Sequence, residues 1–232
     1  DSAILDLVSS ANIACGFHAG DTTSMRETVR ASRMRGVTIG AHPSYPDLPG
    51  FGRRELGLPT TQIRRHVASQ IKALKDICTA EGARLCYVKP HGALYDRAAR
   101  KPDTARAVID AIREVDSTLV LLGLAESEMQ SVAVAAGIAF ASEAFADRAY
   151  GSDRFLVPRS QPGAMIEDVG DAVERALRLV ERRTTTSIDG TELAIEATSL
   201  CVHGDNPRAL ELVRALRSEL EAAGVRIAPF TA

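Results

Sequence analysis

Short, nearly continuous apolar runs alternate with longer amphipathic stretches from one end of this chain to the other. The runs at 11–16, 37–41, 85–89, 118–123, 138–143, 198–202 and 225–229 have the length of strands. Leu119-Val120-Leu121-Leu122 shows their character, since no polar residue interrupts it. A strand with one wet face alternates apolar and polar residues, whereas a strand covered by helices on both faces does not. The stretches at 22–35, 60–81, 102–115, 126–136, 166–182 and 207–223 carry helical patterns. Their punctuation agrees. Asp21 or Thr22 can cap the first, Thr60 the second, and Asn206-Pro207 sets a cap and first-turn proline on the last. Gly36, Gly82, Gly137 and Gly224 stand where a left-handed residue closes a helix before the next strand.

Repeated βα units predict a parallel sheet clothed in helices, either a barrel or an open doubly wound sheet. No G-x-G-x-x-G follows the first strand and no G-x-x-x-x-G-K-[ST] occurs, so the nucleotide-binding open sheets lose support. The expectation is an irregular, TIM-like β/α barrel with about seven parallel strands and its first strand lying ahead of Asp1, where the chain starts without Met. Residues 1–232 are expected to form a single domain, an ordinary size for an undivided barrel.

Composition narrows the function classes. With 28 Lys and Arg against 30 Asp and Glu, the net charge of -2 argues against a nucleic-acid partner. The pairs Arg53-Arg54 and Arg182-Arg183 are too short to form a basic tract. No stretch of eighteen apolar residues and no secretory leader is found, so neither a membrane nor export is expected, and the location predicted is cytoplasmic. Cys15, Cys86 and Cys201 lie inside apolar runs and Cys78 on a helical stretch, with no C-x-x-C pair. They read as small buried hydrophobes in a reducing compartment.

Four of the five histidines, His18, His42, His91 and His203, stand at the ends of apolar runs. Both architectures gather their ligand site at the C-terminal ends of the strands, so these four are expected to line one rim. Histidine is suited to proton transfer near neutral pH and to metal ligation. The same rim should collect Asp21, Asp47, Lys89, Glu143, Asp147, Arg148 and Asp205. Each has a structural alternative: Asp21 as a helix cap, Asp205 as a turn residue, Lys89 as a surface lysine with a buried stem. Glu143 ends an apolar strand, where a lone charge is costly, so it needs a cation such as Arg148 or Lys89, or a reaction that uses it. His66 falls inside a helical stretch and is expected to face solvent. Two long connections leave the rim. Residues 42–59 are rich in Pro and Gly and carry Arg53-Arg54, and residues 144–163 carry Asp147, Arg148, Asp153, Arg154 and Arg159. Residues 182–187 read as an exposed connection. A divalent metal held by scattered strand-end ligands and metal-free acid–base catalysis both remain open.

Five stretches resemble the LamB/YcsF family. They are Ser10 to Asp21 (S-A-N-I-A-C-G-F-H-A-G-D), Ile39 to Asp47 continuing through Gly50 to Arg54, Val88 to Tyr95 (V-K-P-H-G-A-L-Y), Glu143 to Tyr150 (E-A-F-A-D-R-A-Y), and Cys201 to Pro207 (C-V-H-G-D-N-P). The resemblance implies a seven-stranded β/α barrel. It also implies the opening of 5-oxoproline to L-glutamate, coupled to ATP hydrolysis and carried out with two other subunits. The site expected at the strand ends comprises His18, His42, Lys89, His91, Glu143, Asp147, Arg148 and His203, and because no phosphate-gripping loop occurs in this chain, ATP is expected to be handled by the partner subunits. The resemblance further implies a preceding strand of the form D-L-N-x-D-x-G-E that adds acidic groups to the rim. Two other classes use the same features: a stand-alone metal-dependent amide or sugar deacetylase, and a non-catalytic scaffold for the partner subunits.

Overall fold

The computed structural model describes residues 2–231. Its elements run α1 (Ser2–Leu5), β1 (Ser10–Ala14), α2 (Thr22–Met34), β2 (Thr38–His42), α3 (Thr60–Ala80), β3 (Leu85–Val88), α4 (Gly92–Arg100), α5 (Pro102–Val115) and β4 (Val120–Leu124). They continue as α6 (Glu128–Ala136), β5 (Phe140–Phe145), α7 (Val169–Arg182), β6 (Thr184–Thr186), β7 (Glu192–Ala194), β8 (Ser199–Cys201) and α8 (Ala209–Ala222). Six strands form one sheet in the order β1-β2-β3-β4-β5-β8, and the β1–β2, β2–β3, β3–β4 and β5–β8 ladders are parallel. This is the α/β class that the alternation of apolar runs predicts.

The chain divides into two compact units. The larger comprises chiefly Ser9–Gly123 and Ser127–Ala141, and the smaller Ser142–Phe230 with Leu124–Glu126 and the residues before Ser9. In the larger unit α3 buries Ile63, Val67, Ile71, Leu74 and Ile77, spaced three or four apart so that they form one stripe. That stripe packs on α5, which buries Ala105, Val108, Ile109 and Ile112. Each Val, Leu or Ile side chain so buried stabilises the fold by roughly 1.5–3 kcal/mol. Gly40 is required in β2, because a Cβ there would sit 2.1 Å from the Tyr87 ring. In the smaller unit α7 presents Ala172 and Ala176, small enough for Leu212 and Leu216 of α8 to close over them and Ala146. Asp168 caps α7 by accepting from the Asp171 N–H at 3.0 Å.

The structure corrects several expectations. Residues 225–229 are not a strand. The Val225 N–H is spent on Leu220 O at 2.9 Å in closing α8, and Pro229 has no N–H to give a ladder. The sheet therefore holds six strands among the described residues rather than seven. Residues 182–187 are not merely a connection, since β6 pairs antiparallel with β7. Arg175 and Arg178 of α7 brace that hairpin through the Thr185 and Thr186 hydroxyls, each at 2.8 Å. The short helices α1 and α4 were not expected. Thr60 begins α3 but does not cap it; Pro59 stands at that position. Pro207 precedes α8 by two residues, although Asn206 Oδ1 does accept from the Arg208 N–H at 2.9 Å.

Candidate functional site

Three of the four strand-end histidines meet in the larger unit. A turn closed by the Gly16 N–H on Ala19 O (3.0 Å) carries His18 beyond β1. His42 is the last residue of β2, in register with Ala14 of β1. The chain after β3 stays beside β2 because Lys89 N–H donates to Ala41 O (2.9 Å) and His91 N–H to Pro43 O (2.8 Å). The rings of His18 and His91 stack with centroids 3.8 Å apart, and His42 stands edge-on to both, at 5.7 Å and 4.8 Å. Lys89 is only 4% exposed, and its Nζ lies 5.7 Å from the centre of the Tyr95 ring.

Each ring is tied by a named contact. His18 Nδ1 lies 2.9 Å from Ser44 Oγ, whose own hydrogen is directed to Tyr45 O at 2.9 Å. Ser44 Oγ therefore accepts from the His18 Nδ1–H and leaves Nε2 with its lone pair. Gln70 holds Ser44 at both main-chain atoms, accepting from its N–H at 3.0 Å and donating to its carbonyl at 2.9 Å. His42 Nδ1 lies 2.6 Å from Lys89 O, His91 Nε2 lies 2.9 Å from Phe51 O, and His91 Nδ1 lies 3.1 Å from His42 Nε2. Burial, then the Arg53 charge, pushes His18 down to about 4. Burial, then its histidine and lysine neighbours, likewise disfavours charge on His42; burial, then His18, does so on His91.

The long connection after β2 forms one wall of this cluster. Asp47, buried at its root, accepts from the Gly50 N–H (3.1 Å), the Arg54 N–H (3.3 Å) and the Arg54 guanidinium. The Arg54 hydrogen bonds, opposed by burial, hold the Asp47 carboxyl below its ordinary range. The Phe51 ring sets its edge against His18 and His91, each at 5.4 Å, with the Arg53 guanidinium 4.9 Å above its face. Gly52 threads between them at φ +66, where a Cβ would meet His18 Cβ at 2.9 Å, His91 Cδ2 at 3.0 Å and Ser44 Cβ at 3.1 Å. Its carbonyl accepts from the Ala93 N–H at 3.0 Å, fastening the loop to the start of α4.

The smaller unit holds the other group. Asp147, fully buried just past β5, receives the His203 main-chain N–H at 3.0 Å and His203 Nδ1 at 2.9 Å. Burial alone would raise its carboxyl, but the hydrogen bonds and charge of His203 outweigh that and hold it low. The His203 ring stacks on Phe145 at 5.7 Å. Glu143 is fully buried in β5, in register with Ser199 of β8. Its charge, after burial itself, adds to the forces raising the Tyr150 phenol, which accepts the Phe145 N–H at 2.9 Å. Arg148 donates to Val157 O at 2.7 Å and to Ala164 O at 3.4 Å, so its guanidinium shapes the connection after β5.

The predicted residues thus fall into two groups, His18, His42, Lys89 and His91 in one unit and Glu143, Asp147, Arg148 and His203 in the other. Asp21 is an exposed cap, accepting from the Ser24 N–H at 2.8 Å. His66 does not simply face solvent; it is half-buried with its ring edge-on to Phe17 at 5.5 Å. Sequence reasoning missed Ser44, Gln70 and the Phe51 carbonyl, and the Ser44 next to His42-Pro43 was the one available signal. Among the described residues no three His, Cys, Asp or Glu side chains are placed to hold a metal ion. No described helix is long and apolar enough to cross a membrane.

A parallel α/β sheet with ionisable side chains following its strand ends has the build of an α/β catalytic domain. The chain belongs to the LamB/YcsF family, whose model it matches over residues 1–232. It is 47% identical over 230 residues to a 5-oxoprolinase subunit of Paracidovorax citrulli, covering 99% of this chain and 92% of that one. It is 50% identical over 228 residues to a 5-oxoprolinase subunit of Methylococcus capsulatus, covering 98% and 88%. Its fold matches the crystal structure of the lactam utilization protein from Thermus thermophilus with a TM-score of 0.92 at 45% identity, covering 98% and 91%.

Proposed function

We propose that this chain is the ring-opening component of a cytoplasmic, ATP-dependent 5-oxoprolinase that works with two partner subunits. The observation that carries this reading is the packing of His18, His42 and His91 against one another beside the buried Lys89. The names of its relatives support the substrate.

An unactivated five-membered lactam resists water. Transfer of the ATP γ-phosphoryl group to the lactam oxygen expels ADP and makes the ring carbon electrophilic. Water then adds to that carbon, the ring nitrogen takes up protons and leaves as the amine, and a γ-acyl phosphate remains. A second water hydrolyses it to glutamate and phosphate. We place the ATP on the partner subunits and the water and proton steps on this chain. His18, with Nδ1 fixed by Ser44, presents Nε2 as the base for water. Lys89 and Arg53 offset negative charge that develops on oxygen.

The test is the conversion of 5-oxoproline by this chain with and without its partners, following glutamate and ADP together. Equal amounts of both products, formed only by the complete set, support the proposal. Deacetylation by the chain alone on adding a divalent metal, or full turnover without the chain, would overturn it.

A further inference from the structure

The outer nitrogens of His42 and His91 face groups that can only accept. His42 Nδ1 is 2.6 Å from the Lys89 carbonyl and His91 Nε2 is 2.9 Å from the Phe51 carbonyl. A main-chain oxygen has no hydrogen to give, so both nitrogens carry theirs. A neutral imidazole has one N–H. With both outer positions occupied, the inner nitrogens His42 Nε2 and His91 Nδ1 are left as two lone pairs 3.1 Å apart. Two lone pairs at hydrogen-bond distance repel each other. One proton between them turns that repulsion into a charge-assisted hydrogen bond.

We propose that His42 and His91 hold one proton jointly between their inner nitrogens, so that the pair is a single acid carrying one positive charge. The surroundings limit it to one. His18 from the turn after β1, Lys89 from beyond β3 and Arg53 from the long loop all oppose added positive charge. Cys15, whose thiol burial pushes up to about 12, stays neutral beside the His42 backbone. Burial acts against charge on either ring alone, and sharing spreads that charge over both. Two protons would set two cations side by side, so the pair titrates as a unit.

In the ring-opening reaction this acid supplies the proton that the departing ring nitrogen takes. That second statement rests on the proposed function; the shared proton does not.

The full chain with ¹⁵N-labelled histidine tests the pair directly. The expected result near neutral pH is one strongly deshielded proton correlated with both inner nitrogens, and a joint one-proton titration of the two rings. His42→Gln should then lower the proton affinity of His91 by at least tenfold. Inner nitrogens that stay bare from pH 5 to pH 8, or rings that titrate independently, would overturn the proposal. So would stoichiometric zinc binding that moves both inner nitrogens to metal-bound shifts. Glutamate formation in the complete enzyme, measured against pH, should fall as the pair loses its proton. A confirmed shared proton without 5-oxoproline turnover would leave the pair standing and sink only the proposed reaction.

Discussion

The imidazoles of His18 and His91 lie face to face, 3.8 Å between centres and 4° from parallel. Rings stacked so closely cannot both carry charge without strong repulsion. Both are held down from an ordinary 6.5, by burial first in each: His18, with Arg53 next, to about 4, and His91, with His18 next, to about 3. At His18 the unfolded chain accepts a proton near 6.5 that the folded chain refuses until about 4. The His18 contribution to stability is therefore complete above 6.5 and lost as pH falls toward 4, by up to about 1.4 kcal/mol per pH unit. Urea melts between pH 7.5 and 4.5 should show a shallower acid decline in His18→Gln than in the natural protein. Identical slopes would show that His18 is not held neutral.

Ser44 positions His18 rather than touching substrate. Ser44→Ala removes the acceptor that fixes the His18 tautomer, at a cost of about 1 kcal/mol in stability. We expect kcat to drop by roughly tenfold, or about 1.4 kcal/mol in barrier, with KM unchanged. Recovery in Ser44→Thr, which keeps the hydroxyl, would separate positioning from packing, and a shift in KM alone would argue against it.

Gly52→Ala should damage fold and activity together. The left-handed backbone costs a non-glycine residue of order 1 kcal/mol, and the crowding against His18, His91 and Ser44 adds about 1–3 kcal/mol. A melting temperature equal to that of the natural protein would mean that the loop is not seated as described.

Lys89→Met keeps the bulk of the stem and removes the charge. Glutamate formation should fall by roughly 10²–10³-fold, the scale of losing one stabiliser of a developing oxyanion, while circular dichroism stays unchanged. Loss of only two- or threefold would remove Lys89 from the chemistry.

In the smaller unit, Asp147→Asn replaces a charge-assisted contact to His203 with a neutral one. A destabilisation of about 1.5–3 kcal/mol is expected at neutral pH. Because the carboxyl is held low in the fold, its contribution is present above the unfolded carboxylate range and is lost as pH falls through the folded value. The variant and the natural protein should thus converge in strong acid. A constant gap at every pH would show that packing, not charge, is what Asp147 supplies.

Much of this was legible in the residues. Uninterrupted apolar runs announced a sheet covered by helices, and of the four histidines that close such runs, His18, His42 and His91 do meet, while His203 lies in the other unit. The four glycines placed at helix ends all adopt positive φ, from +64 to +78. What escaped were contacts that no local pattern encodes. Gln70 holds Ser44 across 26 residues, and the Phe51 carbonyl reaches His91 across 40. Val225 and Ile227 look like a strand, yet a strand is defined by its neighbour, and the chain there finds none among the described residues. The hairpin did leave a sign in Asp189-Gly190, a turn pair between β-branched residues, but the surrounding arginines and threonines read as solvent-exposed. Arg148 illustrates a different difficulty. An arginine set among ionisable residues suggests an anion, whereas two carbonyls of its own loop take its guanidinium.

The acceptors that set the protonation of His42 and His91 belong to the main chain. Which ring nitrogen carries the outer hydrogen is therefore set by backbone oxygens and not by the side chains at positions 51 and 89, although the Lys89 charge still opposes protonation of both rings. That choice depends instead on path length, on how many residues lie between β2 and α3 and on the bend taken at Gly52. Replacing the Phe51 side chain leaves the oxygen in place, whereas inserting one residue anywhere from Asp47 to Gly52 displaces it by up to about 3.5 Å. A neutral-looking change in loop length would thus be read out in the acidity of a histidine pair, with every letter of the site unaltered.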